Sequence, residues 1–134
     1  MIFTGQLVVD WPFVLGCDVS GIVVKTGSNA VGPLGPLKVG DAVCGCTRLG
    51  SKGYGSCEEY LLMDTGLTLP KPDNIDFAQA ATVGVGFLTA CLGVFNGLGI
   101  EVPKDVSNLP DHGGEWVLVF GGSSSVGKSA VQVC

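Results

Sequence analysis

Charge is what this sequence has least of: Asp, Glu, Lys and Arg make up 14% of its 134 residues, and histidine occurs once. Seven basic residues against twelve acidic ones leave a net charge of −5. That balance excludes the basic surface needed to track nucleic acid or to attract an anionic membrane. The segment from Met1 to Trp11 has no basic cluster and reaches Asp10 early, so it does not read as a secretory signal. An Asn-x-Ser/Thr sequon is absent. The six cysteines (17, 44, 46, 57, 91 and 134) are even in number but lack the profile of a small secreted disulfide scaffold. Reduced thiols in a cytoplasmic protein are the expectation. His112 lies between prolines and glycines and reads as a solvated turn residue.

Glycine and apolar side chains are abundant instead, with 22 glycines and 46% hydrophobic residues. So little charge on so much apolar chain means that much surface is buried or is waiting for a partner. The first part is β-rich. Val19 to Lys25 is a β-branched run, Gly32 to Pro36 a loop, and Ala42–Cys46, Cys57–Met63 and Leu67–Leu69 are further strand candidates. Short strands at this spacing suggest a small barrel or sandwich. At Asp76 the pattern changes. Asp76 and Gln79 have the spacing of a capping box. From Phe77 to Ile100 no charged residue occurs. That length could span a bilayer, but glycines and polar residues interrupt it and no basic residue flanks it, so a buried helical segment is expected.

A polar connection, Glu101 to Gly114, leads to the strand candidate Trp116–Phe120 and then to Gly122-Ser-Ser-Ser-Val-Gly-Lys-Ser129. The octapeptide matches the phosphate-loop pattern G-x-x-x-x-G-K-[ST]. A glycine-rich turn between strand and helix offers backbone N–H groups to an anion. Nucleoside-triphosphate enzymes use that device, and so do Rossmann domains that hold a dinucleotide pyrophosphate. The triphosphate reading also needs an acidic strand for Mg²⁺, which does not follow within these residues.

Six elements occur in order: Leu15-Gly-Cys-Asp-Val-Ser-Gly21, Val39-Gly-Asp41, Gly55-Ser-Cys-Glu-Glu-Tyr60, Ala80-Ala-Thr82, Thr89-Ala90 and Val117 to Gly127. Together they resemble the medium-chain dehydrogenase/reductase superfamily, most of all its zinc-independent fungal trans-acting enoyl reductases and quinone-oxidoreductase-like relatives. The resemblance implies a mixed α and β fold. A partial GroES-like β-barrel would occupy residues 1–75, a helical segment and linker 76–114, and the start of a Rossmann domain 115–134.

It further implies a hydride transfer from NADP(H), with NAD left open, to an activated carbon–carbon double bond or carbonyl. Gly122, Ser123, Ser124, Ser125, Val126 and Gly127 would form the cofactor turn, with Ser124 replacing the second glycine of G-x-G-x-x-G. Thr89 would lie by the nicotinamide as the catalytic candidate, and Thr82, Val83, Gly84, Val85 and Gly86 would line the substrate cleft. No zinc is expected, because Cys17 and Asp18 stand where zinc-dependent members carry a His-Glu pair, and the close set of four cysteines of a structural zinc lobe is missing. Cys17 and Cys91 are expected to be small buried fillers, and Asp18 to tie a barrel strand to a neighbouring loop. The implied partners are a small-molecule or acyl-thioester substrate and a carrier protein or polyketide synthase, with no nucleic acid or membrane. Relatives extend beyond both ends of these residues, so the expectation is a fragment that is inactive at this length. A non-catalytic remnant or binding module is the alternative, and a P-loop triphosphate binder a lesser one.

Overall fold

The structure, a computed structural model, describes residues 6–8, 11–103, 105, 107, 114 and 116–134. The chain has a mixed α and β fold and divides into two compact units, Met1–Val85 and Gly86–Cys134. The first is organised around one antiparallel sheet. Its strands are β1 (Asp18–Ile22), β4 (Ala42–Cys46) and β5 (Thr68–Pro70), in the order β1-β4-β5. Strand β4 is central and pairs Asp18 with Cys46 through to Ile22 with Ala42 on one side. On its other side Val43 pairs with Pro70 and Gly45 with Thr68. A strand flanked on both sides has no wet edge, which is why the run Ala-Val-Cys-Gly-Cys is apolar throughout. Cys44 is the most deeply buried large side chain, with Val43 beside it. Between β1 and β4, β2 (Val31–Gly32) and β3 (Gly35–Pro36) make a minimal hairpin across the Gly/Pro segment expected to be a loop.

Two strand expectations require correction. Residues 57–63 form no ladder: Cys57 N–H donates to the Leu15 carbonyl at 3.0 Å, ahead of β1, and Leu62 N–H donates to the Gly53 carbonyl at 2.7 Å, within its own loop. Trp116–Phe120 joins no ladder either, and Trp116 and Phe120 are 98% and 90% exposed. The cause is the same in both places. Apolar β-branched composition creates strand propensity, but a ladder needs a neighbouring chain to receive its hydrogen bonds.

The helical segment begins where its capping signal places it. Asp76 Oδ1 accepts from Gln79 N–H at 2.7 Å, and Gln79 Oε1 accepts from Asp76 N–H at 3.0 Å. Helix α1 (Phe77–Ala80) then tightens into a 3-10 turn (Ala81–Val83) and breaks at Gly84. Helix α2 (Val85–Cys91) follows and widens into a π-helical stretch (Leu92–Gly97), in which Leu98 N–H bonds to the Gly93 carbonyl at 3.0 Å. Lys71 steadies the approach to α1: its ammonium donates to the carbonyls of Pro72 and Ile75 and sits 5.4 Å from the Phe77 ring centre. Among the described residues no single helix is long and apolar enough to cross a membrane; the bent pair Phe77–Val83 and Val85–Gly97 passes on length and composition alone. In the second unit, helix α3 (Ser125–Val133) follows the glycine turn. His112 lies outside the described residues.

Because the capping box satisfies two otherwise unpaired backbone donors, Asp76→Ala should lower stability by about 1 kcal/mol. Urea unfolding followed by circular dichroism should show the midpoint falling with an unchanged slope.

Candidate functional site

The glycine turn of the second unit is built from local interactions. Gly121 adopts φ +74°, a left-handed conformation open to glycine, and its carbonyl accepts from Ser124 N–H at 2.9 Å. Ser124 is then the N-cap of α3, its hydroxyl oxygen accepting from Gly127 N–H at 3.0 Å. A serine in the place of the family's second glycine therefore has a structural use, and its own O–H proton remains free to donate. Gly127 is buried, and a Cβ there would collide with the Gly121 carbonyl. The N–H groups of Ser123, Ser125 and Val126 have no partner among the described residues. Unpaired amides at the start of a nine-residue helix suit an anionic group, and the bare glycine backbone leaves room for its approach. The residues present thus fit a dinucleotide pyrophosphate. Gly121 was not among the residues singled out from sequence, although the Gly121-Gly122 pair carried the signal.

The candidate cleft residues separate by environment. Thr82 spends its hydroxyl on the Gln79 carbonyl at 2.7 Å, inside its own turn. Val83 is half-buried. Gly84 is buried where a Cβ would collide with the Asp18 carboxylate and come within 2.6 Å of the Gly45 carbonyl. Val85 N–H donates to Asp18 Oδ1 at 2.6 Å, so Asp18 ties β1 to the first residue of α2. Thr82 to Val85 belong to the first unit, whereas Gly86, Thr89 and the glycine turn belong to the second. Within the second unit, Gly86 is buried against the turn: a Cβ on it would lie 2.6 Å from the Ser125 hydroxyl. Thr89, three residues further on, shares the Gly86 face of α2. It is exposed and its hydroxyl makes no hydrogen bond among the described residues.

The cysteine expectation needs correcting in part, since Cys17 and Cys91 are half-exposed and the buried thiol is Cys44. Even so, burial pushes the Cys17 thiol up, with the Asp18 carboxylate and Cys46 adding to the effect. Burial likewise raises Cys44, Cys46 and Cys91. Among the described residues no three His, Cys, Asp or Glu side chains come together as a metal-binding group.

The family described as Alcohol dehydrogenase GroES-like domain matches residues 1–73. The chain is 35% identical to the dehydrogenase pigH of Monascus ruber, over 96% of this chain and 36% of that protein. It is 36% identical to the trans-enoyl reductase poxP of Penicillium oxalicum, over 89% of this chain and 32% of that protein. Among solved structures it is similar to an alcohol dehydrogenase superfamily protein from Novosphingobium aromaticivorans, with a TM-score of 0.68 and 29% identity over 97% of this chain and 35% of that one. The chain spans about a third of the length of the relatives it matches.

Two outcomes are expected. Gly86→Ala should destabilise by about 1 to 3 kcal/mol through overpacking against Ser125, and Ser125→Gly in the same chain should recover most of the loss in a thermal melt. In alkylation mapped by mass spectrometry, the exposed Cys57 and Cys134 should react first and Cys44 last. Labelling of Cys17, Cys46 and Cys91 should rise only at pH above the ordinary thiol range, because a raised pKa lowers the thiolate fraction at any given pH.

Proposed function

The chain belongs to the alcohol dehydrogenase GroES-like family, in the fungal enoyl-reductase-like part of the medium-chain dehydrogenase/reductase superfamily, and from this we propose that it is part of an NADP(H)-dependent oxidoreductase. In this reading the enzyme reduces an activated carbon–carbon double bond or a carbonyl. The observation that carries it is the Ser124-capped turn, with its unpartnered amides and the buried Gly86 packed against Ser125.

Within the turn formed by Gly122, Ser123, Ser124, Ser125, Val126 and Gly127, the unpaired N–H groups of Ser123, Ser125 and Val126 and the free hydroxyl proton of Ser124 would hold the pyrophosphate, while Gly122 and Gly127 would keep the backbone bare for its approach. The bound nicotinamide would supply the hydride. Thr89, exposed and without a hydrogen bond among the described residues, would offer its hydroxyl to the reacting end, where a donor steadies charge that develops on a carbonyl oxygen. Gly86 would keep α2 close to the turn, while Thr82, Val83, Gly84 and Val85 would lead to the substrate side. The substrate would be a small molecule or an acyl thioester, presented in the latter case by a carrier protein or polyketide synthase. Cytoplasmic location and zinc independence belong to the same proposal. Lys128 is exposed on α3, and the proposal assigns it no phosphate.

One glycine turn and its helix cannot enclose a dinucleotide, so the 134 residues alone should give no NADPH-dependent reduction of an enone; clear turnover by the purified chain would overturn that part. The turn itself is tested by NADPH fluorescence titration. Ser123→Glu places a carboxylate before the helix start, where it favours the helix but repels an anion, and should weaken binding about tenfold or more. Lys128→Ala should bind NADPH nearly as the parent does. Mg²⁺-dependent ATP binding that disappears in Lys128→Ala would instead favour the triphosphate reading.

A further inference from the structure

The helical run from Gly86 to Gly97 carries one residue more than a regular α-helix would hold. Leu98 N–H donates to the Gly93 carbonyl at 3.0 Å, five positions back, where an α-helix would use Val94. Ile100 N–H reaches the Val94 carbonyl at 3.4 Å. That too is one position beyond the bond that usually closes a helix at a left-handed glycine, here Gly99 at φ +72°. The excess lies in the π-helical stretch Leu92–Gly97. Burial indicates its consequence. From Gly86 to Gly97 the buried residues are Gly86, Ala90 and Val94, spaced four apart, with Val94 only 4% exposed. In a regular helix each such step drifts by about 40° around the axis, so Val94 would sit about 80° from Gly86. A wider turn starting at Leu92 takes out most of the second drift and brings Val94 into line with Ala90. The line faces the glycine turn and its helix: Gly86 lies against Ser125, and the π-helical stretch packs on α3.

We propose that the π-helical stretch is a positioning device for the anion turn, with Val94 as its positioning residue. The wide turn keeps the buried line on α3 for one turn longer than a regular helix would. It thereby fixes where Thr89, the neighbour of Ala90, stands relative to the unpaired N–H groups of Ser125 and Val126. The inference rests on the dinucleotide reading of that turn. A helix needs no such irregularity for its own stability, because removing one residue would leave the same two ends bonded at regular spacing. Wide turns of this kind are rare and recur at functional sites, where the geometry they impose is the reason for keeping them.

The test compares the whole chain in three forms: the parent, a deletion of the exposed Asn96, and Asn96→Ala, which keeps the residue count. The deletion leaves Gly93 and Leu98 four positions apart, so their hydrogen bond can persist in a regular α-helix. Without cofactor, NMR of the parent and of Asn96→Ala should show nuclear Overhauser contacts from the Val94 methyls to α3, and the deletion should lose them. In fluorescence titration the deletion should bind NADPH about tenfold more weakly, with its helical circular dichroism retained, while Asn96→Ala binds as the parent does. If the deletion does not fold, Val94→Ala decides, since it keeps the count and truncates the contact; it should weaken NADPH binding about threefold while folded. The proposal is overturned by Val94 contacts that survive the deletion, by unchanged affinity in a folded deletion or in Val94→Ala, or by equal weakening in Asn96→Ala. A parent that fails to bind NADPH would count against the function proposed above; the Val94 contacts need no cofactor and still decide the register.

Discussion

The first unit depends on a single joint, the Asp18 carboxylate that receives the Val85 amide at 2.6 Å. Asp18 is the first residue of β1, held opposite Cys46, and Val85 is the first residue of α2. A helix begins with donors that its own turns cannot satisfy, and an anion at that end also opposes the helix dipole favourably. The joint works only because Gly84 carries no side chain; any Cβ there would displace the carboxylate or the Gly45 carbonyl. The start of β1 and the break in the helical segment thus converge on one carboxylate and one glycine.

The same economy governs the glycine turn. Its chemistry resides in the backbone, and the side chains chiefly keep that backbone open. Gly121 turns the chain, Ser124 closes the cap, and Gly127 lets the helix lie on the carbonyl of the turn. In the proposed reading, this is how a protein with so few charges would hold an anion. Unpaired amides at a helix start supply partial positive charge without a lysine, and they need no desolvation of an ammonium.

How much could be read from sequence depended on the range of the interaction. The Asp76–Gln79 box and the start of α3 rest on partners three residues apart, and both lie where the residues place them. The apolar run Ala42–Cys46 likewise became the central strand. Cys57–Met63 and Trp116–Phe120 had the composition of strands, but pairing is a property of two segments, and among the described residues neither has a ladder partner. Cys17 and Cys91 were expected inside on residue type; which side chain is covered depends on what packs above it, and that turned out to be Cys44. The approach of Gly86 to Ser125 spans 39 positions (125 minus 86), and no spacing rule reaches so far.

By itself, then, the sequence determined the family, the β-rich beginning, the helix caps and the glycine turn, because each rests on residue types in short, ordered windows. Tertiary structure alone decided that Gly84 must yield its space to Asp18, that Gly86 meets Ser125, and that β4 is paired on both sides. The physical reason is that these outcomes depend on excluded volume and hydrogen-bond pairing between distant segments, which have no local signature until the chain has folded.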